Sequence, residues 1–150
     1  MQSNAPALNW GRLITQGVLA GVVGAIALAA ATYVVTGLPH HLSIAGVFLS
    51  YASLVHSDNA WVGGLAHLLV SIGWGIGYAY VAATRPNVAS SPWLSGLVYG
   101  CIVWLLMQFV LMLGDVWPGI TLVGFLQQIF VHTVFYGLPV ALTVRAASRT

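Results

Sequence analysis

Four long apolar runs, none of which contains a charged residue, constrain this chain more than any other feature. They cover residues 13–36, 61–83, 92–113 and 122–143. A helix needs about 20 apolar residues to cross a bilayer, so each run predicts one spanning helix. Only 4% of the 150 residues are charged, against roughly 25% in soluble domains. So few charges cannot cover a soluble surface. We therefore expect an all-α integral membrane protein, a four-transmembrane-helix bundle forming a single domain over residues 1–150.

The charged residues are distributed asymmetrically about these runs. Four arginines share one side of the predicted topology: Arg12, Arg85, Arg145 and Arg149. Asp58 and Asp115 fall on the other side. The positive-inside rule then places both termini in the cytoplasm, in a multi-pass protein of the inner (plasma) membrane. Tryptophans flank the runs as interfacial anchors do: Trp10, Trp61, Trp93 and Trp117. Because the arginines lie at helix ends rather than on one basic face, nucleic acid is not an expected partner.

The connection between the first two runs holds a shorter apolar segment, residues 42–57. Small, weakly polar residues recur along it at steps of three and four: Ser43, Gly46, Ser50, Ser53 and Ser57. This spacing predicts a helix with one polar stripe, and the segment is too short to span a bilayer comfortably. We expect an extra amphipathic or re-entrant helix on the outer face, between spanning helices 1 and 2.

Glycine spacing predicts an internal repeat of helical hairpins. One set of residues is repeated at an offset of 60: Gly64, Gly77 and Arg85 match Gly124, Gly137 and Arg145. A second set is repeated at an offset of 79: Gly17, Gly21 and Pro39 match Gly96, Gly100 and Pro118. Both hairpins run in the same direction, so the repeat is parallel, about an axis along the membrane normal. Small residues allow close helix packing in membranes, so Gly21 and Gly100 are predicted contact points.

Polar side chains inside the runs are the candidates for a ligand-binding site: His67, Ser71, Gln108, Gln127, Gln128, His132 and Tyr136. At a rise of about 1.5 Å per residue, most of them share one depth in the outer third, with His132 about one turn deeper. Such residues usually face the bundle interior or an aqueous cavity. Two interpretations remain open. They hydrogen-bond to one another and hold the helices in register, or they line a pocket open to the outer face, with residues 40–57 as its lid.

No cofactor is predicted, although two transmembrane histidines could ligate a b-type haem. His132 lies five residues beyond Gln127, the repeat equivalent of His67, and this depth mismatch of roughly 7 Å disfavours one haem between them. Imidazole and carboxylate suit zinc or copper, and four residues flank the amphipathic segment as possible ligands: His40, His41, His56 and Asp58. They lack a second spaced pair, so we predict no metal site. The sequence has no nucleophile elbow, Walker loop or buried carboxylate pair, so no catalytic residues are predicted and an enzyme is not expected.

The glycine-rich first helix, the His67 helix and the sequence HTVFYGL at residues 132–138 resemble small four-helix bacterial inner-membrane proteins of the uncharacterised, YagU-like kind. The resemblance covers most of the chain and implies no known activity. We expect a non-enzymatic membrane subunit or ligand-binding module with a polar pocket in the outer third of the bundle. The alternatives are a small oligomeric transporter or channel, and a haem- or quinone-binding redox subunit. Expected partners are the lipid bilayer and either further copies of the chain or a larger membrane complex.

Overall fold

A computed structural model describes residues 8–115, 119 and 121–149, and this part of the chain is helical. Its α-helices are α1 (Trp10–Thr32), α2 (Ile44–Ser53), α3 (Ala60–Thr84), α4 (Pro86–Ser90), α5 (Pro92–Leu113), α6 (Leu122–His132) and α7 (Leu138–Ala147). The π-helical turn Tyr33–Gly37 continues α1, and the π-helical turn Thr133–Gly137 joins α6 to α7. Four continuous helical segments are long and apolar enough to cross a membrane, which confirms the four predicted spans.

Local sequence determines where these helices begin. The residue before each of four helices supplies a side-chain oxygen that accepts a hydrogen bond from a backbone N–H of the first turn: Asn9, Ser43, Asn59 and Thr121. Such caps satisfy N–H groups that have no partner inside the helix. Pro86 and Pro92 begin α4 and α5, where a missing N–H does no harm. The short helix α4 occupies most of the connection between α3 and α5.

Glycines bring α1 and α3 into backbone contact. A Cβ added at Gly21 would lie 2.6 Å from the Ser71 carbonyl oxygen, and one at Gly17 would clash with Ile76. On the facing helix, a Cβ at Gly75 would lie 2.6 Å from Gly21 N and would also clash with Gly17 O. Hydrophobicity does not drive association between helices in lipid, so this close approach is the main source of their attraction. The predicted contact role of Gly21 is confirmed.

The last two spanning segments meet in the same way. A Cβ at Gly100 would lie 2.7 Å from Thr133 Cα, and one at Gly137 would lie 2.7 Å from Gly100 Cα and clash with Gly96 O. The contact role of Gly100 is therefore confirmed. In the first pair the residue that takes the position of Gly137 is Gly75 rather than Gly77, whose added Cβ would meet only the Tyr99 hydroxyl, at 3.2 Å.

Each of the two π-helical turns ends at the glycine of a Gly-Leu-Pro sequence, at residues 37–39 and 137–139. Leu38 N–H donates to Tyr33 O, and Leu138 N–H donates to Thr133 O, each five residues back. A proline ring clashes with the carbonyl four residues earlier, and a wider turn relieves that clash. The helix is therefore distorted ahead of Pro139, in the form of a π-helical turn.

Two ends of the bundle can be distinguished by their charged residues. Arg12, Arg85 and Arg145 lie at one, which we call the arginine end. Asp58 and Asp115 lie at the other, the aspartate end. Helix α2 lies at the aspartate end and packs on α3, where Gly63 leaves room for the α2 backbone at Phe48 and Ala52. The predicted interface residue Trp117 and the predicted repeat match at Pro118 lie outside the described residues.

Candidate functional site

A cavity of about 410 Å³ lies among α1, α3, α5 and α6, in the half of the bundle towards the aspartate end. We call it the aspartate-end cavity. Six of the seven predicted site residues line it: His67, Ser71, Gln108, Gln128, His132 and Tyr136. Gln127 is not among the residues that line it. The cavity extends beyond the predicted outer third to Trp74 and Tyr136, near the middle of the bundle.

His67 is held by contacts with two other helices. Its Nε2 lies 3.1 Å from the carbonyl oxygen of Ala25 in α1. Its ring stacks on Tyr51 of α2, with centroids 4.6 Å apart and planes at 13°. A carbonyl oxygen only accepts, so Nε2 carries the proton and Nδ1 is left with a lone pair. His67 therefore ties α1, α2 and α3 together and presents one acceptor nitrogen.

His132 is fixed in the opposite tautomer. Its Nδ1 lies 2.8 Å from the carbonyl oxygen of Gln128, one turn earlier in α6, so Nδ1 carries the proton and Nε2 has the lone pair. Both histidines thus satisfy a backbone carbonyl and keep a second nitrogen that can accept a hydrogen bond. A molecule in the cavity could donate to either of them.

Thr36 contributes an unsatisfied polar atom to the same cavity. Its Oγ1 is buried and has no hydrogen-bond partner among the described residues. A buried hydroxyl without a partner loses about 1–3 kcal/mol relative to one that is hydrogen-bonded. The π-helical turn Tyr33–Gly37 carries this side chain, just as the other π-helical turn carries Tyr136. Turns of this kind occur frequently at functional sites.

Tyr51 closes the cavity from the side of α2. Burial raises the pKa of its phenol above the ordinary value, and interaction with the Thr32 hydroxyl acts in the opposite direction. The phenol is therefore neutral. Ser50, Leu54 and Val55 of the same segment also line the cavity, so α2 covers it. Most of the predicted polar stripe is exposed, at Ser43, Ser50 and Ser53, whereas Val47 and Ala52 are buried.

Three tyrosines lie towards the arginine end from the cavity, and Tyr136 is the one of them that lines it. The Tyr136 hydroxyl donates to Ser71 O at 2.7 Å, which links the π-helical turn Thr133–Gly137 to α3. Tyr99 donates to Trp74 O, and its ring packs edge-on against Tyr78, with centroids 5.0 Å apart. Tyr78 in turn hydrogen-bonds to Ser95 at the start of α5. We call Tyr78, Tyr99 and Tyr136 the tyrosine layer; it separates the aspartate-end cavity from the arginine end.

Sequence reasoning missed several residues of this cavity, notably Thr36, Tyr51 and Trp74. The repeated Gly-Leu-Pro sequence was the available signal for Thr36, because the residue before each of these glycines lines the cavity. Tyr51 had no such signal. Its position depends on how α2 docks on α3.

The histidines and aspartate proposed as possible metal ligands lie outside this site and are exposed: His40, His41, His56 and Asp58. Within the part of the chain that the structure describes, no three His, Cys, Asp or Glu side chains come together as a metal site would require.

Comparison of the sequence with protein-family models, and of the protein with curated proteins and solved structures, finds no match. The resemblance to YagU-like proteins therefore rests only on the residues quoted for it.

Proposed function

We propose that this protein is a non-enzymatic, ligand-binding integral membrane protein. Its ligand would be a small, uncharged and largely apolar molecule held in the aspartate-end cavity. One observation carries the proposal: polar groups from α1, α2, α3, α5 and α6 converge on one cavity of about 410 Å³. Pockets that bind small molecules have volumes of roughly 300–1,000 Å³ and are mostly apolar, with a few placed polar groups.

The polar groups define the chemistry of this ligand. His67 Nδ1 and His132 Nε2 are acceptors, and the Thr36 hydroxyl lacks a partner among the described residues. The side chains that line the cavity carry no formal charge when both histidines are neutral. A charged ligand would lose its hydration without an ionic partner. A ring bearing hydroxyl donors and an apolar substituent fits this requirement, which favours a quinol-like molecule among the redox alternatives.

The tyrosine layer supports a binding pocket rather than a pore through one bundle. Tyr78 and Tyr136 are only 2% and 1% exposed. Their hydrogen bonds join α3 to α5 and to the π-helical turn Thr133–Gly137. A transporter or channel built from this chain would need the layer to open, or would need a pathway between several copies of the chain. The ligand-binding proposal requires neither.

Thermal stability in detergent tests the proposal, with a short-chain alkyl hydroquinone as the probe and its dimethyl ether as the matched compound without donors. A ligand that binds only the folded state stabilises it by about 2.7 kcal/mol at a hundredfold excess over its Kd. We expect the hydroquinone to raise the melting temperature and the ether to raise it less. Failure of the hydroquinone to stabilise the protein, or equal stabilisation by both compounds, would contradict the proposed chemistry.

A pair of variants on α5 locates the binding. Leu111 lines the cavity, so Leu111→Trp should fill it and remove the response to the hydroquinone. Leu106 is 43% exposed and lies outside the cavity lining, so Leu106→Trp should leave the response intact. A response that survives Leu111→Trp would place the binding elsewhere.

A Soret band in the absorption spectrum of the purified protein would favour the haem alternative instead.

We further infer that the bundle consists of two parallel, duplicated hairpins, with both termini in the cytoplasm. The support for duplication is the equivalent position of Gly75 and Gly137, each of which meets two glycines of its partner helix. The Gly-Leu-Pro pair, by contrast, relates the first spanning segment to the fourth. If the hairpins are equivalent, Gly75→Ala and Gly137→Ala should lower the melting temperature in detergent by similar amounts.

The orientation of the termini is supported by the separation of arginines from aspartates.

A further inference from the structure

A second cavity, of about 190 Å³, opens at the arginine end of the bundle. We call it the arginine-end crevice. Arg12 and Gln16 of α1 line one side of it, and Arg145 and Ser148 line another. Ala79 and Ala82 of α3 contribute an apolar wall. The tyrosine layer separates this crevice from the aspartate-end cavity, so the two sites are distinct.

Among the described residues, backbone carbonyls rather than a carboxylate hold the Arg12 side chain in place. Its Nη2 donates to Ser148 O at 2.8 Å and to Ala147 O at 3.5 Å. Gln16 Nε2 donates to Ala147 O at 3.0 Å. Both hydrogen bonds that the Arg12 side chain makes to described residues come from Nη2, which leaves its Nε–H and Nη1 donors for another acceptor. The guanidinium is thus oriented in advance, with part of its donor set available.

The chain contains no acidic side chain that could neutralise this crevice. Asp58 and Asp115 are its only acidic residues, and both lie at the aspartate end. Arg145 is half-buried and lines the same crevice as Arg12. Two guanidinium groups that line one crevice repel each other, and an anion bound between them would remove that repulsion.

We propose that the arginine-end crevice binds a phosphate group, and that its source is the headgroup of an anionic phospholipid. Guanidinium groups match the geometry of phosphate oxygens and bind them through paired N–H donors. The arginine end is where spanning helices emerge from the hydrocarbon, which is the depth of lipid phosphates. Basic pockets between spanning helices are known to bind anionic headgroups. The alanine wall suits the glycerol and the first acyl carbons of such a lipid.

Native mass spectrometry of the detergent-solubilised full chain tests this proposal. The probes are phosphatidylglycerol, phosphatidylcholine and inorganic phosphate, each added separately. We expect one equivalent of phosphatidylglycerol to be retained at concentrations at which phosphatidylcholine is lost. Retention of both lipids alike would overturn the proposal, and binding of inorganic phosphate as tight as that of phosphatidylglycerol would overturn the assignment to a lipid.

Two charge-removing variants at the same end of the bundle give the specific control. Arg145→Gln removes a crevice residue, whereas Arg85→Gln removes an exposed arginine that does not line the crevice. Hydrogen bonds to charged groups are strong enough that Arg145→Gln should weaken phosphatidylglycerol binding by about tenfold or more. Arg85→Gln should change it little. Equal weakening by both variants would show attraction to net charge alone and would contradict a site in the crevice.

Discussion

Gly75 is one of the residues on which the close packing of α1 against α3 depends. A Cβ there would lie 2.6 Å from Gly21 N and 2.7 Å from Gly21 Cα. Both are backbone atoms that cannot move aside as a flexible side chain would. We expect Gly75→Ala to destabilise the protein by about 1–3 kcal/mol, the usual effect of overpacking. Circular dichroism during heating in detergent would show this as a lower melting temperature.

Gly73 provides the matched control, two residues earlier in the same helix. A Cβ added there would have no neighbour within 4 Å. Gly73→Ala should therefore leave stability unchanged, or raise it by up to about 1 kcal/mol because alanine favours helix more than glycine does. Equal melting temperatures for Gly73→Ala and Gly75→Ala would show that the glycine contact does not control packing.

Individual residues also show how far the sequence could predict the site. His67 and His132 could be identified because polar side chains inside apolar runs must face the interior. Gln127 and Gln128 could not be separated, because the rotation of α6 depends on its tertiary contacts. Thr36 lies at the end of a run and Tyr51 in a short connecting helix. Polar side chains are ordinary in both places, so residue type alone singled out neither of them, and only the repeated Gly-Leu-Pro sequence pointed to Thr36.

At the scale of elements, the docking of α2 on α3 determines whether the aspartate-end cavity is covered. A Cβ at Gly63 would lie 2.6 Å from Ala52 N and would clash with Phe48 O, so Gly63→Ala should push α2 away. Tyr51 would then lose its stacking on His67. We expect amide hydrogen exchange across residues 44–53 to become about tenfold faster or more, since overpacking by at least 1.4 kcal/mol corresponds to a factor of ten.

The adjacent glycine serves as the comparison for this element. A Cβ at Gly64 would make only ordinary contacts, the nearest at 3.7 Å from the Phe48 ring. Gly64→Ala should keep the slow exchange of the wild-type protein. If Gly63→Ala also keeps it, the docking of α2 does not depend on this close approach.

The elements differ in how much of them the sequence determined. The spanning helices were predictable because a helix is one of the few conformations in which an apolar run satisfies all its backbone hydrogen bonds in lipid. The π-helical turns were less predictable. A proline inside an apolar run, such as Pro139, indicates a distorted helix, but it does not indicate that the turn widens by one residue and carries Tyr136. The short helix α4 was also missed, because Pro86 and Asn87 favour a turn as readily as the start of a helix.

For the whole molecule, the proposed orientation can be tested by cysteine labelling in a Cys101→Ala background. Single cysteines replace Asp58 at the aspartate end and Asn87 at the arginine end, and both positions are exposed. We expect an impermeant maleimide to label the Asp58→Cys variant in intact cells. The Asn87→Cys variant should react only after the membrane is permeabilised, since the arginine end should face the cytoplasm. The opposite labelling pattern would invert the orientation.

The rim of the aspartate-end cavity has a consequence for how the proposed ligand arrives. Val70 and Val110 line the cavity and are also 45% and 53% exposed, so an apolar edge of the opening lies on the outside of the bundle. A molecule can reach such an edge after dissolving in the hydrocarbon. Occupancy would then follow the concentration of the molecule in the bilayer. Two molecules with identical contacts but tenfold different partition coefficients would differ tenfold in apparent affinity measured from water.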